Sequence, residues 1–307
     1  KEKRKMADIN RTTNSMALPS DVASEILQKT SSESAIMRLA RKIDLPGRGV
    51  TIPVITGDPS AAWVAETAVK PVSNGTPGTK LMSAYKIAVI ETFSKEFTRD
   101  AKMLYDALIQ RLPAALAAVF DSTVIGATDA PGGNMDTFAN CQTQSILNAN
   151  NGTYLGLVAA DSDIAAHGGV VNGYAFGAQG RALLLTAVDT TNRPLFLASA
   201  SEGAVDKVLG NATYFNKNIY KAGTPGTSGT PAVVGVAGDW SKALYGTVAG
   251  VEIGVTDTAT LTVGSGTSAT QLNLWQQNMV AVKAEIEVGF RADTECFNLL
   301  TGAVPES

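Results

Sequence analysis

Few side chains in this 307-residue sequence could perform acid–base or nucleophilic chemistry. The single histidine, His167, is followed by Gly168 and Gly169. It could act as a general base, but it has no nucleophile or carboxylate partner at a recognised spacing, so a polar helix end is the better interpretation. The cysteines, Cys141 and Cys296, are too far apart in sequence for a CxxC metal site or a disulfide framework. We interpret both as small packed residues, because nothing near them in sequence would lower a thiol pKa.

Motifs of the common enzyme classes do not occur in the sequence. Residues 75–80 (GTPGTK) only superficially resemble a phosphate-binding loop. There is no GxSxG nucleophile elbow, no HExxH zinc motif and no dinucleotide-binding fingerprint. The sequence therefore predicts a protein that is not an enzyme and that uses no cofactor or metal ion.

The composition indicates a folded chain with an unusually apolar surface. Hydrophobic residues make up 45% and charged residues 17%, where about 25% charged is common for soluble domains. The net charge of −3 gives no global basic field. The basic run at residues 1–5 could contact phosphate backbones, but such a run is usually a solvated tail. No apolar run is long enough for a transmembrane helix and no signal peptide opens the chain, so we expect no membrane partner.

The beginning of the chain predicts an arm followed by a long hairpin. Two short helical patterns lie in residues 1–50, and neither is long enough to be stable alone. In residues 51–93 we predict one arm around Trp63, a turn region rich in Gly and Pro, and a returning arm that alternates from Tyr85 onward. A lone two-stranded ribbon is marginally stable, so this hairpin should dock on its own body or on a neighbouring subunit.

The rest of the chain predicts a long helix, a mixed domain and a late strand. The strongest helical pattern begins at Asp100 and contains Pro113, which should kink or restart the helix. Residues 127–268, rich in Gly, Ala and Thr, predict helices mixed with sheet. Alternation from Val280 to Phe290 predicts a half-buried strand. The polar face of this strand carries Lys283, Glu285 and Glu287.

Five local sequences in a fixed order suggest a family. They are 64–73 (VAETAVKPVS), 94–104 (SKEFTRDAKML), 183–196 (LLLTAVDTTNRPLF), 238–246 (GDWSKALYG) and 278–285 (NMVAVKAE). Together they resemble the major capsid protein family of tailed bacteriophages, of the Hong Kong ninety-seven type, over nearly the whole chain. The resemblance implies the α+β phage-capsid fold. Its parts would be an N-terminal arm (1–50), an extended hairpin loop (51–93), a peripheral domain with a long spine helix and a β-sheet (94–126 and 269–307), and an axial α/β domain (127–268).

The resemblance also implies a structural function. Copies of the chain would form pentamers and hexamers that close into an icosahedral head around double-stranded DNA, which is held without sequence specificity. Implied partners are the portal, a maturation protease and decoration proteins. The protein would reside in the virion capsid, after assembly in the host cytoplasm. The first residue, Lys1, fits removal of a leading segment by a phage protease, and it fits a shortened chain equally well.

Two alternatives to a phage shell stay open at this point. One keeps the fold and changes the contents: an encapsulin-like bacterial compartment that holds protein cargo. The other is a hydrolase or sugar-binding domain in the middle of the chain, which predicts a monomer with a deep polar pocket.

A covalent reaction is also implied by the resemblance. Some members of the family cross-link neighbouring subunits through a lysine of the extended loop and an asparagine of the peripheral domain, assisted by a glutamate. By motif position, Lys70 matches the lysine, Asn278 the asparagine and Glu285 the glutamate, which would act as the base. Alternatively, Lys70 is a polar hairpin residue, Glu285 pairs with Lys283 or with an arginine of a neighbour, and all belong to an ordinary wet interface. Motif position does not distinguish the two interpretations.

Overall fold

The computed structural model describes residues 34–47, 49–57, 61–64, 69–70, 76–96, 111–147, 152–189, 191, 193–196, 205, 207–226, 229–248, 251–264 and 269–303. The first predicted helix of the arm, the basic run at 1–5 and the predicted helix start at Asp100 lie outside these residues. Within them, no helix is both long and apolar enough to cross a membrane.

The described residues form a mixed fold of helices and strands, as the sequence predicts. The helices are α1 (Ala35–Leu39), α2 (Leu112–Val124), α3 (Gly152–Ala166) and α4 (Ala178–Thr186). The strands are β1 (Arg41–Asp44), β2 (Val50–Gly57), β3 (Thr76–Met82), β4 (Tyr85–Ser94), β5 (Gln142–Ser145), β6 (Gly173–Phe176), β7 (Lys207–Val208), β8 (Asn211–Phe215), β9 (Val233–Gly238), β10 (Ala243–Thr247), β11 (Glu252–Thr256), β12 (Thr260–Val263), β13 (Thr270–Asn273), β14 (Met279–Ala292) and β15 (Phe297–Thr301). Short 3₁₀ turns lie at Phe138–Asn140, Trp240–Lys242 and Thr294–Cys296.

The long strand β14 organises the first sheet. It pairs antiparallel with β4 along one edge, and with β10 and then β11 along the other, while β1 adds parallel to β10. Helix α2 packs on this sheet through Leu112, Leu116 and Phe120, which recur every four residues as a helical stripe requires. Pro113 lies in the first turn of the described helix, where the missing N–H group has no intrahelical partner to lose.

The structure changes two expectations about this sheet. The alternating stretch from Tyr85, predicted as the returning arm of the hairpin, is β4 and pairs with β14; the arm that returns to β2 is β3. The strand β14, predicted to be half-buried, is buried on both faces along most of its length, because it is flanked by strands on both edges and covered by packed side chains. Alternation of apolar and polar residues defines the two faces of a strand, but it does not identify the strands that pair with it.

The second sheet has six strands in the order β5-β15-β9-β6-β8-β7. Helices α3 and α4 cover the same face of it, with Leu157 and Leu184 packed in one cluster with Tyr174 and Phe176. Strand pairing crosses the predicted domain limits, since β15 from the 269–307 segment joins this sheet, and β10 and β11 from the 127–268 segment join the first one. The division into peripheral and axial domains stays a prediction.

Aromatic rings join the two sheets. The ring of Phe138 stacks on Phe297 of β15 with centroids 4.6 Å apart, and it meets Phe290 of β14 edge-on at 5.6 Å. Trp240 lies edge-on to Phe297 at 5.2 Å, and its indole N–H donates to the Gly173 carbonyl oxygen of β6. The connections β9–β10 and β14–β15 run through this cluster, which therefore fixes the two sheets on each other.

Candidate assembly site

The hairpin of β2 and β3 presents apolar side chains that the described chain does not cover. Trp63 and Val69 are 105% and 94% exposed, and Lys70 beside them is exposed as well. The two strands form a sheet of their own, in register from Val50 opposite Met82 to Ile55 opposite Pro77, with a register shift before Gly57 pairs with Thr76. A two-stranded ribbon with an exposed tryptophan is typical of a segment that becomes buried on another molecule.

The base of this hairpin is fixed to the body by charged groups. The guanidinium of Arg291, on β14, donates from Nε and Nη2 to the Leu81 carbonyl oxygen, at 2.9 and 2.6 Å. Its Nη1 lies 2.6 Å from Oδ1 of Asp136. The ammonium of Lys80 donates to the Ala292 carbonyl oxygen at 3.2 Å. The hairpin therefore leaves the body from an anchored base, and its direction is set by β14.

Asn278 lies in a tight turn at the start of β14. Its backbone has φ +52°, in the left-handed region that asparagine tolerates better than most residues. Its carbonyl oxygen accepts from the Lys95 backbone N–H at 2.7 Å, and the Met279 N–H donates to the Leu274 carbonyl oxygen at 2.8 Å. The turn is thus held by its backbone, while the side chain of Asn278 stays exposed.

A second exposed tryptophan lies in the same turn. Trp275 is 66% exposed, and the ammonium of Lys95 lies 5.8 Å from the centroid of its ring. Lys95 Nζ is also 2.6 Å from Oδ2 of Asp257, and this hydrogen bond lowers the pKa of Asp257. The turn therefore exposes an aromatic ring and the amide of Asn278 beside the Lys95–Asp257 ion pair.

Glu285 lies on β14 between two lysines. Its carboxylate is 2.9 Å from Lys283 Nζ and 3.1 Å from Lys86 Nζ, and Lys86 also lies 3.4 Å from Glu287. Hydrogen bonds from Lys283 and Lys86 lower the pKa of Glu285, and the side chain is largely covered. The sequence predicted the polar face of β14 with Lys283, Glu285 and Glu287. What the sequence lacked was the pairing of β4 with β14, which places Lys86 opposite Glu287.

One chain does not bring the three cross-link candidates together. Between Met279 and Glu285 the strand is extended and paired in continuous register with β4, so these six steps cover about 20 Å at roughly 3.3 Å per residue. Asn278 precedes Met279, and Lys70 belongs to the hairpin. Any site that contains both Asn278 and Glu285 must therefore take them from different chains.

The other chemistry-bearing residues are structural. His167 follows α3, and its ring Nδ1 lies 2.9 Å from the Asp163 carbonyl oxygen, as expected for a polar helix end. Burial raises the pKa of the Cys141 thiol to about 12 and also raises that of Cys296. Protonated thiols are weak nucleophiles. Among the described residues, no cluster of His, Cys, Asp and Glu could hold a metal ion.

The sequence reasoning did not anticipate one buried charged group. Asp121, on α2, accepts from Ser34 Oγ at 2.5 Å and from the Ala35 N–H at 3.2 Å, and thereby binds the first turn of α1. Asn216 Nδ2 donates to the same carboxyl group at 3.3 Å. Desolvation raises the pKa of Asp121 to about 7. A polar residue within the apolar helical stripe was the available signal.

Comparison with known proteins identifies the family of this chain. A family model described as "Phage capsid family" matches residues 14–298. The chain belongs to the phage capsid family. It is 28% identical over 305 residues to "Probable major capsid protein gp17" of Mycobacterium phage D29, covering 94% of this chain and 90% of that protein. It is 29% identical over 306 residues to the protein of the same name in Mycobacterium phage L5, covering 92% and 89%.

A solved structure supports the fold of this capsid protein. A chain from Microbacterium phage Oxtober96 superposes with a TM-score of 0.70 at 20% identity, covering 96% of both chains. The chain is therefore a structural shell protein of a tailed-phage virion rather than a member of an enzyme family. The family and the relatives named here give no support to the encapsulin-like alternative or to the hydrolase and sugar-binding alternative.

Proposed function

We propose that this capsid protein assembles as pentamers and hexamers into a closed icosahedral head that encloses double-stranded DNA without sequence-specific contacts. Assembly takes place in the host cytoplasm, and the portal, a maturation protease and decoration proteins act on the same shell. The observation that carries this proposal is the hairpin of β2 and β3. In the connection between these strands, Trp63 and Val69 are almost fully exposed to solvent, which is unfavourable for large apolar side chains in an isolated subunit.

Electron microscopy of the purified protein tests the proposal directly. We expect closed particles of uniform diameter with pentameric and hexameric units, and nuclease-protected double-stranded DNA in particles purified from infected cells. Particles that contain one protein cargo and no DNA would instead support the encapsulin-like alternative. A chain that stays monomeric at all concentrations would contradict both.

We also propose that the shell is cross-linked between chains through Lys70 and Asn278. The neutral amine of Lys70 attacks the side-chain carbonyl carbon of Asn278, a new C–N amide bond forms, and the bond from Cγ to Nδ2 breaks. Ammonia leaves with the proton that the lysine nitrogen loses, and Glu285 from a further chain carries this proton. The exposure of both Lys70 and Asn278 supports the proposal, since each can be reached by a neighbouring subunit.

The ion pairs of Glu285 set a condition on this reaction. A carboxylate held by Lys86 and Lys283 is a weaker base, because these contacts lower its pKa. Cross-linking therefore needs at least one of the two pairs to open when subunits assemble. Burial of Lys70 in the apolar interface would favour its neutral form at the same time.

Boiling assembled particles in detergent measures the reaction. We expect the parent chain to run as a ladder of covalent multimers, and Lys70→Arg, which keeps the charge but is not an amine nucleophile at neutral pH, to run as a monomer. Asn278→Asp should also run as a monomer, since its ionised carboxylate resists attack. Both variants should still form particles. A single monomer band from parent particles would exclude cross-linking and leave the shell proposal intact.

A further inference from the structure

The outer face of α3 is apolar, although it faces solvent in one chain. Its inner face packs on the six-stranded sheet through Leu157, Ala160 and Ile164. The opposite side exposes Tyr154, Leu155 and Val158, at 45%, 55% and 39%. Alanines and a serine fill most of the remaining outer positions. The outer face is mostly apolar, with Asp161 as its exposed charged residue. A helix with apolar residues on opposite sides is normally buried on both sides, so a partner is missing from this face.

The inner face of α3 packs on the sheet of its own chain, so the helix cannot rotate about its axis to bury its outer face. The backbone at Gly156 approaches the Ser145 carbonyl so closely that a Cβ atom there would lie 2.1 Å from the oxygen. Asn298 of β15 donates to the Ala160 carbonyl oxygen at 3.1 Å and to Asp163 Oδ2 at 2.8 Å. These contacts fix the rotation of α3 about its axis, and they fix which side chains point outward.

The far end of the same sheet carries a second exposed apolar patch. Helix α3 packs over β5, β15 and β9, whereas the opposite edge is formed by β8 and β7. Apolar side chains exposed on α4, on the turn after it and on β7–β8 are Leu185, Val188, Leu195, Leu209 and Phe215. Because the two patches lie at opposite ends of one sheet, a chain cannot bring its own patches together.

Charge is distributed in a complementary way between these two ends. No lysine or arginine occurs between Arg111 and Arg181, and the exposed charge on α3 is that of Asp161. The end formed by α4 and β7–β8 is basic, with Arg181, Arg193, Lys207, Lys217 and Lys221 against Asp189 among the described residues there. Opposite charges on two complementary patches favour a specific orientation of docking.

We propose that the outer face of α3 binds the end formed by α4 and β7–β8 of a second copy of this chain. The contact is head-to-tail, since two different surfaces meet, and repetition of it about one axis closes a ring. The inference deepens the proposed function, on which it rests, by assigning the lateral contact within a pentamer or hexamer to named faces. It predicts that Tyr154 and Leu155 are buried in the ring.

Photo-crosslinking from Tyr154 tests this interface in assembled particles. Tyr154→p-benzoylphenylalanine keeps an aromatic side chain at the position, and mixed particles of isotopically light and heavy copies report whether a cross-link joins two copies. We expect attachment within residues 181–221 of another copy. Attachment within the same copy, to residues 1–33, or to another surface of a second copy would overturn the proposal.

A charge substitution provides the second readout. Leu155→Glu should raise the protein concentration needed for particle formation about tenfold or more, because it buries a carboxylate in an apolar contact, while the thermal unfolding of the subunit stays unchanged. Leu155→Met is the matched control and should assemble as the parent does. Normal assembly of Leu155→Glu would overturn the interface alone. A parent chain that forms no rings or particles would overturn the proposed function together with it.

Discussion

Replacing Trp63 with alanine is expected to prevent particle formation at concentrations where the parent chain assembles. Trp63 is fully exposed in the subunit, so its removal should change the free energy of unfolding by less than about 0.5 kcal/mol. In an interface, a central tryptophan contributes about 2–4 kcal/mol, which corresponds to about 30- to 1,000-fold in the concentration needed for assembly. Electron microscopy and sedimentation over a series of protein concentrations measure this threshold.

The conservative variant Trp63→Phe is the matched control. It keeps an aromatic side chain that can enter the same pocket of a neighbour, so its threshold should stay closer to that of the parent than to that of Trp63→Ala. Chemical denaturation of each variant checks that the subunit is folded. An unchanged assembly threshold for Trp63→Ala would mean that Trp63 is not buried against a second chain in the particle.

The sequence predicted the family and the hairpin, but it misassigned one strand of that hairpin. Tyr85 begins a clean alternation after a Gly- and Pro-rich stretch, and this pattern fits a returning arm. The partner of that alternation is β14, nearly 200 residues later in the chain. Periodicity reports the faces of one strand, whereas pairing depends on long-range contacts that a single sequence does not encode locally.

The same limit applies to Glu285. The alternation of β14 correctly placed this residue on the polar face with Lys283 and Glu287. It could not show that Lys86, on the neighbouring strand β4, forms an ion pair with Glu285. It also could not show how far apart Asn278 and Glu285 lie along β14. The identities of the cross-link candidates came from motif positions, and their separation became visible only with the pairing register.

For the six-stranded sheet, the sequence predicted the mixture of helices and strands, but it did not predict the order in which the strands pair. Short apolar runs and turn residues in 127–268 indicated mixed helix and sheet, which the structure confirms. Its strand β15 comes from the C-terminal segment, past β14, and pairs between β5 and β9. The connection through Thr294–Cys296 carries the chain from one sheet to the other. The sequence of β15 contains no signal for the sheet that this strand joins, because strand pairing depends on distant residues.

Asp121 makes the stability of the subunit depend on pH. Its carboxyl group is buried between α1 and α2, and among the described residues it accepts from neutral donors of Ser34, Ala35, Ile36 and Asn216. Burial raises its pKa from 3.8 to about 7, since the hydrogen bonds only partly replace the lost water. Because the pKa is higher in the folded state, protonated Asp121 favours folding. This contribution is complete below about pH 3.8 and is lost as the pH rises through about 7.

Asp121→Asn should remove this pH dependence. The difference between pKa values of 3.8 and about 7 corresponds to about 4 kcal/mol, so the unfolding free energy of the variant relative to the parent should rise by about that amount between pH 4 and pH 8. Urea denaturation in a Trp63→Ala background measures it without interference from assembly. Ser34→Ala should instead strengthen the pH dependence. The hydrogen bond from Ser34 lowers the pKa of Asp121, so its loss should raise that pKa and shift the loss of stability to higher pH. A difference between Asp121→Asn and the parent that is constant from pH 4 to pH 8 would show that Asp121 ionises as readily in the fold as in the unfolded chain.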